Sequence, residues 1–272
     1  MLTDIGFPAY KGKRSPMVES VFEYGPRVGC WRLLRIFRRF DVKISMLGVV
    51  RGMMMYPELT RAFAEDGHEV VSHGWRWLDY CQVGEDEERE HIRLAVRGIE
   101  KLTGAAPAGW FSGRPSVNTR RLIVEHGGFL YDRDYLGDEL PFWVKFGARA
   151  CQHLVVPYSY ETNDNRFDRN TGFSSADEFA RYMIDCFDLL YEEGAERPKI
   201  MSLALHDRLI GRPGPSDSSS SSTTPADATA YGFAPAATSP NIGAASIRRA
   251  TSDRRGSGRI HPFAIPDPGP KG

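Results

Sequence analysis

Through most of the chain, short runs of consecutive apolar residues alternate with longer stretches in which apolar residues recur every three or four positions. The first pattern suits a strand buried on both faces, and the second suits a helix with one buried stripe. The spacing predicts helices over residues 31–39 and Pro57–Glu65, with the apolar run 42–50 between them. The second helix leads through Asp66-Gly67 into an extended Glu69-Val70-Val71-Ser72. Over Glu85–Thr103 the residues Ile92, Val96, Ile99 and Leu102 define one buried face. Its acidic first turn suits the positive end of a helix dipole, and Gly104 is placed to end it. Further helices are expected over 116–125 and 177–191, the latter with Phe179, Met183, Cys186 and Leu190 inward. Strands are expected over 128–131, 154–157 and 199–205.

Such repeated units predict an α/β fold with helices outside a closed or nearly closed parallel sheet, because strands this apolar have no wet face. The expected domain runs from residue 15 to 214, after an irregular segment at 1–14. The pattern stops after Gly211-Arg212-Pro213-Gly214. Residues 215–272 open with the run Ser218 to Ser222 and continue in Pro, Ala, Thr and Ser. A low-complexity tail of that kind cannot bury enough apolar surface to fold, so disorder is expected there. A natural flexible tail and a shift of reading frame near Pro215 both account for the break.

Charge narrows the range of partners. The 35 basic residues cancel the 35 acidic ones, so no net field draws in nucleic acid or an anionic membrane. No apolar stretch is long enough to span a bilayer and no signal-peptide core opens the chain, which predicts a cytoplasmic location. Cys30, Cys81, Cys151 and Cys186 are scattered and form neither a zinc knuckle nor a redox pair.

Parallel α/β folds carry their working groups at the carboxyl ends of strands. Ser72-His73-Gly74, Ser112-Gly113-Arg114-Pro115 and His206-Asp207-Arg208 each follow such a strand. Two histidines in that setting, with an arginine on a third strand end, point to proton transfer near neutral pH beside an oxyanion-binding guanidinium. A loop-fixing salt bridge is the plain alternative for Arg114. Asn118 is either a helix cap or a substrate contact. Trp75, Trp77 and Tyr80 read as core residues, one of which could wall a flat ligand, and the group Glu19, Glu23, Tyr24 and Arg27 reads as a solvated loop. His68, His91, His126, His153 and His261 read as surface or hydrogen-bonded structural residues.

The stretches ESVFEYGPRVGCWRL from Glu19, EVVSHGWRWLDY from Glu69, GWFSGRPSVNTRRL from Gly109, DELPFW from Asp138, VPYSYETND from Val156 and MSLALHDRLIGRPG from Met201 resemble the polysaccharide deacetylase superfamily. Within it they are most similar to the metal-independent allantoinase branch. The resemblance implies a distorted parallel (β/α) barrel, incomplete at the N-terminus and at the C-terminus. It implies catalytic roles for His73, His206 and Arg114, and substrate contacts from Glu19, Trp77 and Asn118. Deacetylases of the superfamily bind a divalent metal such as zinc through an acidic first-strand residue and two histidines four apart. Here the position four after His73 is Trp77, so no metal or other cofactor is expected. The implied reaction is opening of the cyclic amide of allantoin to allantoate, with a small ureide as the partner molecule and a homo-oligomer as the assembly. A metal-dependent polysaccharide or chitooligosaccharide N-deacetylase and a truncated, inactive ligand-binding remnant are the alternatives.

Overall fold

The computed structural model describes residues 15–146, 151–168 and 172–216. The expectations for 1–14 and for most of 215–272 lie outside these residues. Pro215 and Ser216, placed above in the tail, instead finish a single helical turn, Pro213–Ser216.

Six strands form one sheet: β1 (Ser45–Gly48), β2 (Glu69–Ser72), β3 (Gly109–Trp110), β4 (Tyr131–Asp132), β5 (Phe142–Phe146) and β6 (Cys151–Val155). Their spatial order is β1-β2-β3-β4-β6-β5, with every neighbouring pair parallel except β5 and β6. The α/β class and the parallel sheet expected above are therefore present. The antiparallel β5 was not anticipated, although its alternating burial follows the period-two pattern of a strand with one covered face. The strand expected over 199–205 is absent: within it only Ala204 makes a β bridge, to Asn163.

The helices are α1 (Pro16–Tyr24), α2 (Cys30–Phe40), α3 (Val50–Met55), α4 (Pro57–Glu65), α5 (Glu85–Thr103), α6 (Thr119–His126) and α7 (Ala176–Glu193). Those at Pro57–Glu65 and Glu85–Thr103 have the bounds read from sequence. Gly104, in the left-handed conformation, ends α5. The group Glu19, Glu23, Tyr24 and Arg27 is not a solvated loop. It lies on α1 and on the π-helical stretch Gly25–Gly29 that joins α1 to α2. This segment packs on the residues after His206: the Arg208 guanidinium lies 5.0 Å from the Phe22 ring and that of Arg212 lies 4.1 Å from Tyr24. Gly29 is needed there because a Cβ would meet the Asp207 carbonyl oxygen at 2.0 Å.

Alternation along the strands divides the apolar residues between two cores. Met46 and Val70 face outward with buried Trp110, Ile92, Ile99, Leu122 and Ile123, so α3, α5 and α6 cover that side. Leu47, Val71, Tyr131, Leu154 and Val156 face the other way and meet Ile200. Trp110 is fully buried, and truncating such a side chain to Ala costs about 3–5 kcal/mol through lost contacts and the cavity left behind. Among the described residues no helix is long and apolar enough to cross a membrane.

Candidate active site

The parallel ladder runs one step past the carboxyl ends of the strands and sets the residues that follow. His73 N donates to Gly48 O (2.9 Å), Phe111 N to Ser72 O (2.9 Å), Arg133 N to Trp110 O (2.9 Å) and Val156 N to Asp132 O (2.8 Å). His73, the Phe111–Arg114 turn and the Arg133-Asp134 pair thereby arrive on one end of the sheet. The chain after His73 turns back at once: the carbonyls of Gly74 and Trp75 accept from Val50 N and Arg51 N and so satisfy the first amides of α3.

The His73 ring is half-buried and locked. Its Nδ1 lies 2.5 Å from Phe111 O, which can only accept, so Nδ1 carries the proton and Nε2 is left with a lone pair. The ring stacks on Phe111 (5.1 Å, 4° between planes), and Phe111 stacks on Tyr158 (4.8 Å, 16°). Desolvation pushes His73 down to about 4, against the effect of the Phe111 carbonyl, and positive charge on His206 opposes its protonation further. His73 and His206 therefore lie within electrostatic reach of each other.

His206 has a different setting. Its Nδ1 lies 2.6 Å from Asp164 Oδ1, and its backbone N donates to Asp164 Oδ2 at 2.7 Å. Asp164 is fully buried, whereas the His206 side chain is 33% exposed. Asp164 is held in turn by its own N donating to Ala204 O (3.1 Å), and Asn163 Nδ2 donates to Tyr158 Oη (2.7 Å). Asp164 was missed in the sequence because it sits 42 residues before its partner. Its one signal was membership of the VPYSYETND stretch.

The Arg114 guanidinium lies over Trp77, 4.7 Å from the ring. Its carbonyl accepts from Tyr80 N (3.1 Å), which ties the loops after β2 and β3 together. Trp77 is thus neither buried core nor loose surface. It is the platform for the arginine, whereas Tyr80 is a core residue. Arg114 also neighbours Gly113, which has φ +72° and where a Cβ would stand 3.3 Å from His73 Cε1. Only glycine adopts that conformation at little cost while letting the turn lie so near the imidazole. Asn118 occupies the cap position of α6, but its side chain accepts no helix N–H. Its Oδ1 accepts from Arg121 (3.1 Å), within the exposed ion pairs that link α5 and α6 through Glu85, Arg89 and Glu125. Glu19 lies in the first turn of α1.

Among the described residues no group of three or more His, Cys, Asp or Glu could hold a metal, and the place four after His73 holds a tryptophan bearing Arg114. A hollow of about 320 Å³ involving Arg89, Arg93, Glu125 and His126 lies between α5 and α6, on the helical layer and away from the strand ends.

Comparison with known proteins gives the family. The family model for polysaccharide deacetylase matches residues 10–126. The crystal structure of the Puue allantoinase is 45% identical, with a TM-score of 0.75 over 79% of this chain and 71% of the other. That of a probable polysaccharide deacetylase from Pseudomonas aeruginosa PAO1 is 46% identical, with a TM-score of 0.76 over 79% and 72%. A putative polysaccharide deacetylase of Schizosaccharomyces pombe is 38% identical over 230 residues, 78% of this chain and 72% of that one. On that identity and coverage, the chain belongs to the polysaccharide deacetylase family of hydrolases.

Proposed function

We propose that the protein hydrolyses the cyclic amide of allantoin to allantoate without a metal. The observation that carries this reading is Arg114 seated on Trp77, where the resemblance to metal-binding deacetylases calls for a second histidine. The 45% identity to a protein described as an allantoinase supports it. The planar fork of a guanidinium matches a ureido or amide oxygen.

The two imidazoles divide the proton transfers. His73 is neutral with its Nε2 lone pair free, so it accepts the proton of an attacking water. The water oxygen bonds to a ring carbonyl carbon, and Arg114 with nearby backbone amides stabilises the oxyanion that forms. His206, whose Nδ1 is engaged by the buried Asp164 carboxylate, gives a proton from its Nε2 to the ring nitrogen as the C–N bond breaks. The water supplies one oxygen of the product carboxylate, its second proton leaves to solvent as the new acid ionises, and a proton passing from His73 to His206 closes the cycle. Glu19 and Asn118 remain proposed substrate contacts.

His73→Ala and His206→Ala should each lower allantoin turnover by about 10²–10⁴-fold, the usual share of a general acid or base, in proteins that keep the wild-type circular dichroism. Retention of turnover in either variant ends the assignment. N-deacetylation of a sugar is the second reading, favoured by the description of the Schizosaccharomyces pombe relative. Release of acetate from an N-acetylated oligosaccharide, abolished by a chelator, would select it, whereas chelation leaves the proposed allantoin hydrolysis unchanged.

A further inference from the structure

The turn that carries Arg114 is held by a carboxylate that the reaction above does not use. Asp134 Oδ1 accepts from Ser112 N (3.0 Å) and Gly113 N (2.8 Å), and Oδ2 accepts from Ser112 N (3.0 Å) and Ser112 Oγ (2.8 Å). Three donors from two successive residues thus converge on one carboxylate. Those residues lie between Phe111, whose carbonyl fixes the His73 tautomer, and Arg114. Gly113 itself packs against His73. The far end of the loop is fastened separately, with Ser116 Oγ donating to the buried Glu88 at 2.6 Å and Thr119 Oγ1 donating to the same carboxylate. The end nearest the chemistry therefore depends on Asp134.

We propose that Asp134 is a positioning residue of the active site, holding the Ser112–Gly113 turn so that Arg114 and His73 keep their relative placement. The proposal rests on the catalytic reading of the cleft given above. A carboxylate can accept from all three donors at once, whereas the neutral acid turns one oxygen into a donor and must release at least one of them. Burial pushes Asp134 up to about 6, against the three hydrogen bonds, and the charge of Asp132 adds to the rise. The groups that face it are known. Asp132 Oδ1 accepts from Asp134 N (3.0 Å) and is itself paired with Arg120 and His153, Arg120 Nη2 donates to Asp134 O (3.2 Å), the Tyr80 phenol feels its charge, and His73 lies across Gly113. Arg133, the chain neighbour, turns away to Ser202 and Pro157. On acidification the brace loosens near pH 6, well above the range in which His73 takes a proton.

The test uses the full chain and its Asp134→Asn and Ser112→Ala variants. With allantoin, wild-type kcat should fall by about ten- to a hundredfold as pH drops through 6, the scale expected from misplacing a catalytic group by about 1 Å. Asp134→Asn, which imitates the neutral acid, should show the low rate already at pH 8 and no such limb. Ser112→Ala removes one hydrogen bond that favours the anion, so its limb should move to higher pH. A wild-type profile flat through pH 6, or an identical limb in Asp134→Asn, overturns the proposal, and so does an unmoved limb in Ser112→Ala. Amide NMR of Ser112 and Gly113 reads the brace without substrate. If allantoin is not turned over but these amides titrate together near pH 6 in wild type and not in Asp134→Asn, the brace stands and the substrate reading falls. If they do not titrate, the brace itself falls.

Discussion

His73 and His206 are both held through Nδ1, yet what holds them differs: a neutral backbone carbonyl for one and a buried carboxylate for the other. His73 is stacked on Phe111, gives its Nδ1 proton to a neutral carbonyl and is held down to about 4 by burial. His206 gives its Nδ1 proton to a fully buried carboxylate. The ring backed by a carbonyl gains little when protonated, because the carbonyl carries no charge to neutralise the imidazolium. The ring backed by a carboxylate has a charged acceptor behind it. In the mechanism proposed above, these two settings behind Nδ1 divide the roles of base and acid between identical side chains, and the Nε2 atoms meet the substrate.

The largest expected effect, beyond loss of either imidazole, comes from removing that difference. Asp164→Ala removes the carboxylate behind His206 and leaves the His206 amide and its ring N–H short of an acceptor. Losing the acceptor of two hydrogen bonds should destabilise the protein by about 1–3 kcal/mol, read from the urea midpoint, and lower kcat by about tenfold or more. Unchanged stability and rate would mean that Asp164 does not distinguish the two rings. The smallest effect belongs to the platform beneath Arg114. Trp77→Ala removes a cation–π contact of about 0.5–1 kcal/mol, so kcat/KM for allantoin should drop by only a few-fold, with His73 titrating as before. A thousandfold loss would place Trp77 in contact with the substrate rather than beneath the arginine.

What could be read in the sequence follows the range of the forces involved. α4 and α5 were legible to the residue because their ends are set locally, by Pro57, by four acidic residues in the first turn of α5 and by Gly104. α1 was not, because its apolar face makes sense only against Arg208 and Arg212, nearly the whole domain away. Residues 199–205 look like a strand in composition, but pairing is a tertiary property, and their amides go to scattered acceptors, Ile200 N to Glu139 O (3.0 Å), Ser202 N to Ser159 Oγ (2.9 Å) and Ala204 N to Thr162 O (2.9 Å). The same division runs through the site. His73, Arg114 and His206 were singled out because each follows an apolar run that reads as a strand, although the run before His206 makes only the Ala204 bridge, and Trp77 by its distance from His73. Asp164 and Asp134 work through partners 42 and 21–22 residues away, and no local pattern marks an acid whose role is to accept someone else's hydrogen bond.

The most direct test of the account is a histidine-ring ¹⁵N NMR titration of the wild-type chain and of His206→Gln. The account predicts that the His73 ring stays neutral, with its proton on Nδ1, until the pH nears about 4, and that replacing His206 lets His73 take its proton at higher pH. A His73 that titrates at its ordinary 6.5 and is indifferent to the residue at 206 would contradict both the division of roles and the shared cleft.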